Sequence, residues 1–204
     1  NKVKQIKYEF KADIVNPIFF TSIYCYTQDW PDWRGENRDG TWSETGIVEK
    51  FGSNEIIPKW SAAIGSGYSG PTVSNGKVYL TDLIKNQSQT EGVLCFDEQT
   101  GEKIWEYRYP CEYSGIGYPA GPRASVVIKN GKAFSLGTMG NLFCFDAENG
   151  NVIWQKDWNT EYEIRMPVWG ISATALITKK RIIFQISGSK NTGVVTQINI
   201  QENK

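Results

Sequence analysis

The sequence predicts an all-β fold, a β-propeller of four-stranded antiparallel blades, and three observations predict it. A stretch running Cys95-Phe96-Asp97-Glu98-Gln99-Thr100-Gly101-Glu102-Lys103-Ile104-Trp105 returns, roughly fifty residues later, in the same frame from Cys144 to Trp154. Asn75-Gly76 and Asn130-Gly131 each sit between alternating apolar residues, a strong short signal for a hairpin. A third unit with the same order of apolar runs follows the second. Units of this kind bury a core only by stacking on one another.

Taken in order, residues 1–28 differ from the rest. Lys2, Lys4, Lys7 and Lys11 precede an apolar run from Ile14 to Cys25, broken by Asn16 and Pro17. A basic region before an apolar run suggests a secretory signal remnant, the alternative being a merely irregular segment. Trp30 to Gly40 reads as a cap over a sheet edge, with Asn37 to Gly40 as a turn; Trp30 and Trp33 beside Arg34 and Arg38 would otherwise grip a ligand by stacking and cation–π contact. Pro58-Lys59-Trp60 reads as the last strand of an incomplete opening repeat.

Three repeat units are expected over about 61–107, 108–156 and 157–204. In the first, Thr72-Val73 and Lys77 to Leu80 flank Asn75-Gly76; in the second, Ala124 to Ile128 and Lys132 to Leu136 flank Asn130-Gly131. Leu94 to Phe96 and Leu142 to Phe145 are the third strands. Asp97 and Asp146 are placed to accept bonds from turn amides, and Gly101 and Gly150 supply the positive φ that closes the loop. The fourth strands carry Trp105 and Trp154, each suited to cover a neighbouring repeat. In the third unit Ser172 to Ile177, Arg181 to Gln185 and Val194 to Ile200 are strands.

The repeated frame resembles the tryptophan-docking motif of the pyrroloquinoline-quinone (PQQ)-like repeat family of quinoprotein-type propellers, with Cys95 and Cys144 where that motif has Ala and Asn149 where it has Thr. The stretch from Trp30 to Gly40 resembles the opening of bacterial PQQ-like repeat proteins of the cell envelope. The resemblance covers residues 29–204 and implies a partial propeller of about three and a half blades. A closed ring of seven or eight blades needs roughly 350–400 residues at this period, so the remaining blades are expected from further C-terminal sequence or, alternatively, from oligomerisation.

Composition narrows the chemistry. Lys+Arg and Asp+Glu are equal at 22, and no basic stretch marks a nucleic-acid footprint. Histidine is absent, which removes the Ser-His-Asp triad, the Cys-His pair and histidine metal sites from this chain. No run is long enough to span a membrane. Cys95 and Cys144 occupy equivalent places in successive repeats, too far apart to bond, and read as small hydrophobes; Cys25 and Cys111 have no evident partner.

Propellers bind at the axis, on the segments entering each innermost strand. Here these are Gly65 to Gly70, Tyr113 to Ser125 and Arg165 to Ser172, rich in Gly, Ser and aromatics. Tyr68, Ser69, Arg123 and Trp169 are the candidate ligand-binding residues: Arg123 can clamp a carboxylate, and Trp169 or Tyr68 can stack on a flat ligand. PQQ would suit that set. A quinone dehydrogenase would also need a catalytic Asp and calcium ligands, for which Asp82 and Glu112 are the nearest candidates, neither in a recognisable motif. No catalytic or metal residue is assigned. The function expected is a periplasmic or secreted binding or scaffold module, similar to BamB-type proteins of outer-membrane assembly, whose partners are envelope proteins or a small axial ligand. The alternatives are a PQQ- and Ca²⁺-dependent alcohol or sugar dehydrogenase and a carbohydrate-binding propeller.

Overall fold

The computed structural model describes residues 28–52, 57–179 and 181–185, with the backbone of 186 and 194–199. The signal-like run and Cys25 lie outside the described residues. Three antiparallel sheets follow one another. The first holds β1 (Thr72–Ser74), β2 (Lys77–Lys85), β3 (Gln89–Asp97) and β4 (Lys103–Pro110), in that order across the sheet. The second repeats it with β5 (Val127–Lys129), β6 (Lys132–Leu136), β7 (Asn141–Asp146) and β8 (Val152–Asp157). A short helix α1 (Trp158–Tyr162) leads to β9 (Leu176–Ile177), β10 (Arg181–Ile186) and β11 (Val194–Asn199), the strands of the third sheet among the described residues.

The hairpins form for the reasons expected. Asn75 and Gly76 have φ of 51° and 71°, and Asn130 and Gly131 have 51° and 70°, the paired positive φ of a two-residue turn that matches strand twist. At the other turn Asp97 Oδ1 accepts from the backbone N–H groups of Gln99 (2.9 Å) and Thr100 (2.8 Å). Asp146 Oδ1 accepts likewise from Glu148 (2.9 Å) and Asn149 (3.2 Å). Asn149 substitutes for Thr100 in function as well as place: its side-chain oxygen accepts from Asn151 N (2.9 Å), as the Thr100 hydroxyl accepts from Glu102 N (3.2 Å). Gly101 and Gly150 close both turns at φ 74°.

A β-bulge follows in each copy, between Cys95 and Phe96 and between Cys144 and Phe145. Ile104 and Ile153 are the extra residues, each 43% exposed. The bulge re-aims the next side chain. Trp105 therefore crosses to the second sheet, where its Nε1 donates to Ala147 O (3.0 Å) and its ring lies against Gly150, whose added Cβ would stand 2.6 Å from the indole. Trp60 repeats the geometry one unit earlier, donating to Glu98 O (2.8 Å) with its ring 2.5 Å from a Cβ built on Gly101.

Alternation along the strands gives the second sheet two apolar faces. Val93 and Cys95 of β3 join Tyr79, Trp105 and Tyr109 against Val126, Phe143 and Phe145 of the second sheet. Leu142 and Cys144, the intervening residues of β7, face the other way onto Ile182 and Phe184. Trp158 fills that second interface, fully buried and edge-on to Phe184 at 4.7 Å.

The segment Trp30 to Arg38 covers sheet edges, and they are the edges formed by the first strands. Trp30 bridges to Val73, Pro31 O accepts from Ile128 N (2.9 Å), and Arg38 donates to Ala175 O (2.6 Å) and Thr174 Oγ1 (3.1 Å). One arm thus touches the leading strand, or the approach to it, in all three sheets. It also explains one short strand: Ser172 to Ala175 lie outside β9, where the third sheet pairs only at Leu176 and Ile177 and the Ala175 carbonyl goes to Arg38. Ala124 to Val126 likewise lie outside β5.

Trp105→Ala is expected to cost about 3–5 kcal/mol, and Gly150→Ala about 1–3 kcal/mol through its positive φ and the clash with the indole. The double variant should lose less than the sum, since removing the indole removes the clash. Urea unfolding of the three variants measures this; additive losses would show that the two residues act independently.

Candidate functional site

The segments that enter β1, β5 and β9 meet at one rim. Tyr68, Tyr118, Arg123, Trp169 and Ser172 line an open cleft there of about 290 Å³. Three of the four residues singled out in the sequence, Tyr68, Arg123 and Trp169, are brought together. Ser69 does not line the cleft. Its hydroxyl is occupied inside the first sheet, donating to Thr81 O (3.1 Å) and accepting from Thr81 Oγ1 (2.8 Å) and Thr81 N (3.3 Å). Tyr118 and Ser172 take part instead, both from segments the sequence marked.

The aromatic faces are organised. Tyr118 and Trp169 stack at 4.4 Å with 8° between planes, and Tyr68 and Trp169 are 53% and 56% exposed. Arg123 lines the same cleft, its Cζ 5.2 Å from the Tyr68 ring and 6.0 Å from that of Tyr113. It is held in place by donating to the carbonyls of Tyr118 and Gly121. No carboxylate among the described residues pairs with it.

Beneath the cleft lies a polar core that sequence reasoning missed. Glu91 is 1% exposed. Its carboxylate accepts from the phenols of Tyr109 and Tyr113 and from Thr138 N (3.2 Å). Thr138 Oγ1 in turn lies 2.9 Å from Tyr113 Oη and 3.5 Å from Arg123 Nη1, so hydrogen bonds link the buried carboxylate to the cleft. Burial, and then the Glu91 charge, push both phenols above the ordinary tyrosine range. The one sequence signal for this was a glutamate just before the apolar run Val93 to Phe96, opposite tyrosine-rich β4.

The carboxylates considered for catalysis or calcium are placed elsewhere. Asp82 is 0% exposed and accepts from both Arg108 nitrogens (2.9 and 3.1 Å) and from Gly65 N (2.6 Å), lining a separate cavity. Glu112 accepts from Gln89 N (3.3 Å). Among the described residues no group of three or more His, Cys, Asp or Glu side chains is placed to hold a metal ion. The cleft therefore offers a flat ligand a stacking face and a cation, while among the described residues no cluster of acidic side chains is gathered to hold a divalent ion.

Cys95, Cys111 and Cys144 are buried and unbridged. Burial raises the thiols of Cys95 and Cys144 from near 9 to about 12. Above pH 9 the unfolded chain gives up thiol protons, and above pH 10 phenol protons, that the folded chain keeps. The stability that these thiols and phenols contribute is thus full below about pH 9 and is lost as pH rises, by up to about 1.4 kcal/mol per pH unit for each such group. Urea midpoints between about pH 8 and 11 are expected to decline. Tyr109→Phe should make the decline shallower, and an unchanged slope would show that this phenol titrates freely.

Comparison with known proteins bears on the whole. A family model described as outer membrane protein assembly factor BamB matches residues 53–204. No curated protein matches. Among solved structures, a europium-containing methanol dehydrogenase is 17% identical with a TM-score of 0.51, over 71% of this chain and 25% of that one. The quinohemoprotein alcohol dehydrogenase from Comamonas testosteroni is 19% identical with a TM-score of 0.50, over 67% and 20%. BamB from Moraxella catarrhalis is 13% identical with a TM-score of 0.47, over 72% and 38%. The chain thus spans well under half the length of each. At these identities the likeness to the two dehydrogenases shows the fold: the three sheets are blades of a partial β-propeller.

Proposed function

The chain belongs to the outer membrane protein assembly factor BamB family, and from that premise we propose that it is a binding or scaffold module of the cell envelope, periplasmic or secreted, that holds other proteins. One observation carries this reading. Asp82 of β2 and Glu91 of β3 are buried and bonded to internal donors, so neither is presented to a molecule in the cleft. The cleft presents aromatic faces and a guanidinium, the side chains that anchor protein–protein contacts. β4 and β8, each last in its sheet, add edges to which a partner strand can pair.

A second reading has an observation in its favour. Arg123 beside the Tyr118–Trp169 stack suits a flat polycarboxylate such as PQQ. Its weakness is that the oxygen ligands calcium would need are not gathered at the cleft among the described residues.

Two measurements on the full natural protein separate the readings. Crosslinking in the envelope of its own source cells is expected to recover defined envelope proteins in near-stoichiometric amounts. Equilibrium dialysis with PQQ and Ca²⁺ is expected to show no saturable binding. Saturable quinone binding with alcohol-dependent dye reduction, and no crosslinked partner, would replace the scaffold reading with the dehydrogenase.

A further inference from the structure

The axial cleft has a second lobe. A cavity of about 640 Å³ adjoins the first, and Trp33, Arg38, Thr174 and Gln185 are among its walls; the two lobes share Arg123 and Ser172. Arg123 therefore stands where they meet. The two arginines of this double cleft differ in charge balance. Arg38 is paired with Asp32 at 2.8 Å, whereas Arg123 is fixed by carbonyls and ring faces and has no carboxylate partner among the described residues. A guanidinium stays charged at any accessible pH. Half-buried and uncompensated, it favours whatever brings a carboxylate to it, and its planar fork sets that group in one orientation.

The rest of the lining fixes the remainder of the ligand. Tyr68, Tyr118, Trp169 and Trp33 are each more than half exposed around one cation, an apolar cluster of a kind that marks a contact surface. The first lobe has room for one or two side chains, too little for a folded domain, and the second continues past Arg123. An elongated ligand can occupy both lobes with its charge at the junction; a compact one uses only one lobe.

Resting on the scaffold reading, we propose that the axial cleft takes an extended peptide segment of a partner protein, one that carries a carboxylate next to an aromatic side chain. The carboxylate pairs with Arg123, the aromatic group packs against Tyr68 and the Tyr118–Trp169 stack, and the flanking residue runs toward Trp33. This is a specificity element within the family's binding role: it selects acidic-aromatic segments over basic ones.

The test is calorimetry on the full natural protein with three probes: a blocked hexapeptide holding an aspartate between two phenylalanines, its asparagine twin, and phthalate. The acidic peptide is expected to bind, the asparagine twin about tenfold or more weakly, and phthalate more weakly still. Arg123→Gln and, separately, Trp169→Ala should each weaken the acidic peptide about tenfold or more. Trp169 is exposed and holds no backbone, so its loss leaves the fold intact, and an unchanged thermal midpoint verifies that for both variants. Equal binding of the twin, or no binding of either peptide, would overturn the proposal. Phthalate binding as tightly as the acidic peptide would overturn it too, making the cleft a small-molecule site. Envelope crosslinks that survive Arg123→Gln would leave the scaffold reading standing and remove only this site. Peptide binding without any envelope crosslink would do the reverse.

Discussion

The arrangement of the sheets depends on one contact, an indole lying flat on a glycine of the next turn. A sheet with two apolar faces has no preferred neighbour and no preferred angle until something fixes both. The Trp105 indole fixes them by combining a large buried area with a directional bond, from Nε1 to the Ala147 carbonyl. The surface it lands on must have no side chain, which is why Gly150 is there, and the same glycine supplies the φ of 74° that turns β7 into β8. Turn and docking surface are thus one residue. Trp60 on Gly101 repeats this, so the first blade receives one indole and sends the next to the second blade.

The repeats agree at that turn and diverge at the opposite rim. Lys77 and Lys132 each lie opposite a turn aspartate across neighbouring strands, Asp97 and Asp146, which puts the two blades in register. Five residues further along, the first blade has Asp82 and the second has Gly137. Asp82 anchors Arg108 and the Gly65 amide. Gly137 leaves space instead: a Cβ there would stand 2.3 Å from Tyr109 Oη and 2.5 Å from Glu91 Oε2. A buried carboxylate is tolerable only when its donors are in place, and the second blade gives up a side chain so that the first can bury Glu91. Sequence difference between blades is concentrated where the loops meet.

That division explains what was legible in the sequence. Asn-Gly hairpins, the Asp-Gly turns and the repeated tryptophans are local chemistry, and their spacing alone gives blade architecture. The elements missed depend on contacts between distant segments. β2 and β3 run on to Lys85 and back from Gln89 through polar residues, since Leu83 pairs with Ser66 across the sheet. The helix at Trp158–Tyr162 is set by Asp157, which accepts from Thr160 N (3.3 Å), and by a tryptophan driven into the interface. At the cleft, Tyr68, Arg123 and Trp169 were readable as aromatics and a cation in glycine-rich entry loops. Ser69 was not separable from them by type, because only the strand beside it, through Thr81, turns its hydroxyl inward.

The cleft belongs to no single blade. Tyr68 precedes the first, Tyr118 and Arg123 lie between the first and second, and Trp169 and Ser172 precede the third. The distance from Tyr68 to Trp169 is therefore set by two successive interfaces, and each of those is set in turn by packing far from the rim. The arm from Trp30 to Arg38 closes this loop of dependence. By bonding to Val73, Ile128 and Ala175 in turn, it ties the leading edges of three blades together. Arg38, the arginine of the arm that reaches the third blade, is balanced by Asp32. A free charge at Arg38, which lines the second lobe, would compete with Arg123 for the same ligand. With Arg38 neutralised, Arg123 is the cation at the junction of the two lobes that has no carboxylate among the described residues. The part of the chain that holds the blades in place is thus also the part that leaves the cleft a single, defined point of charge.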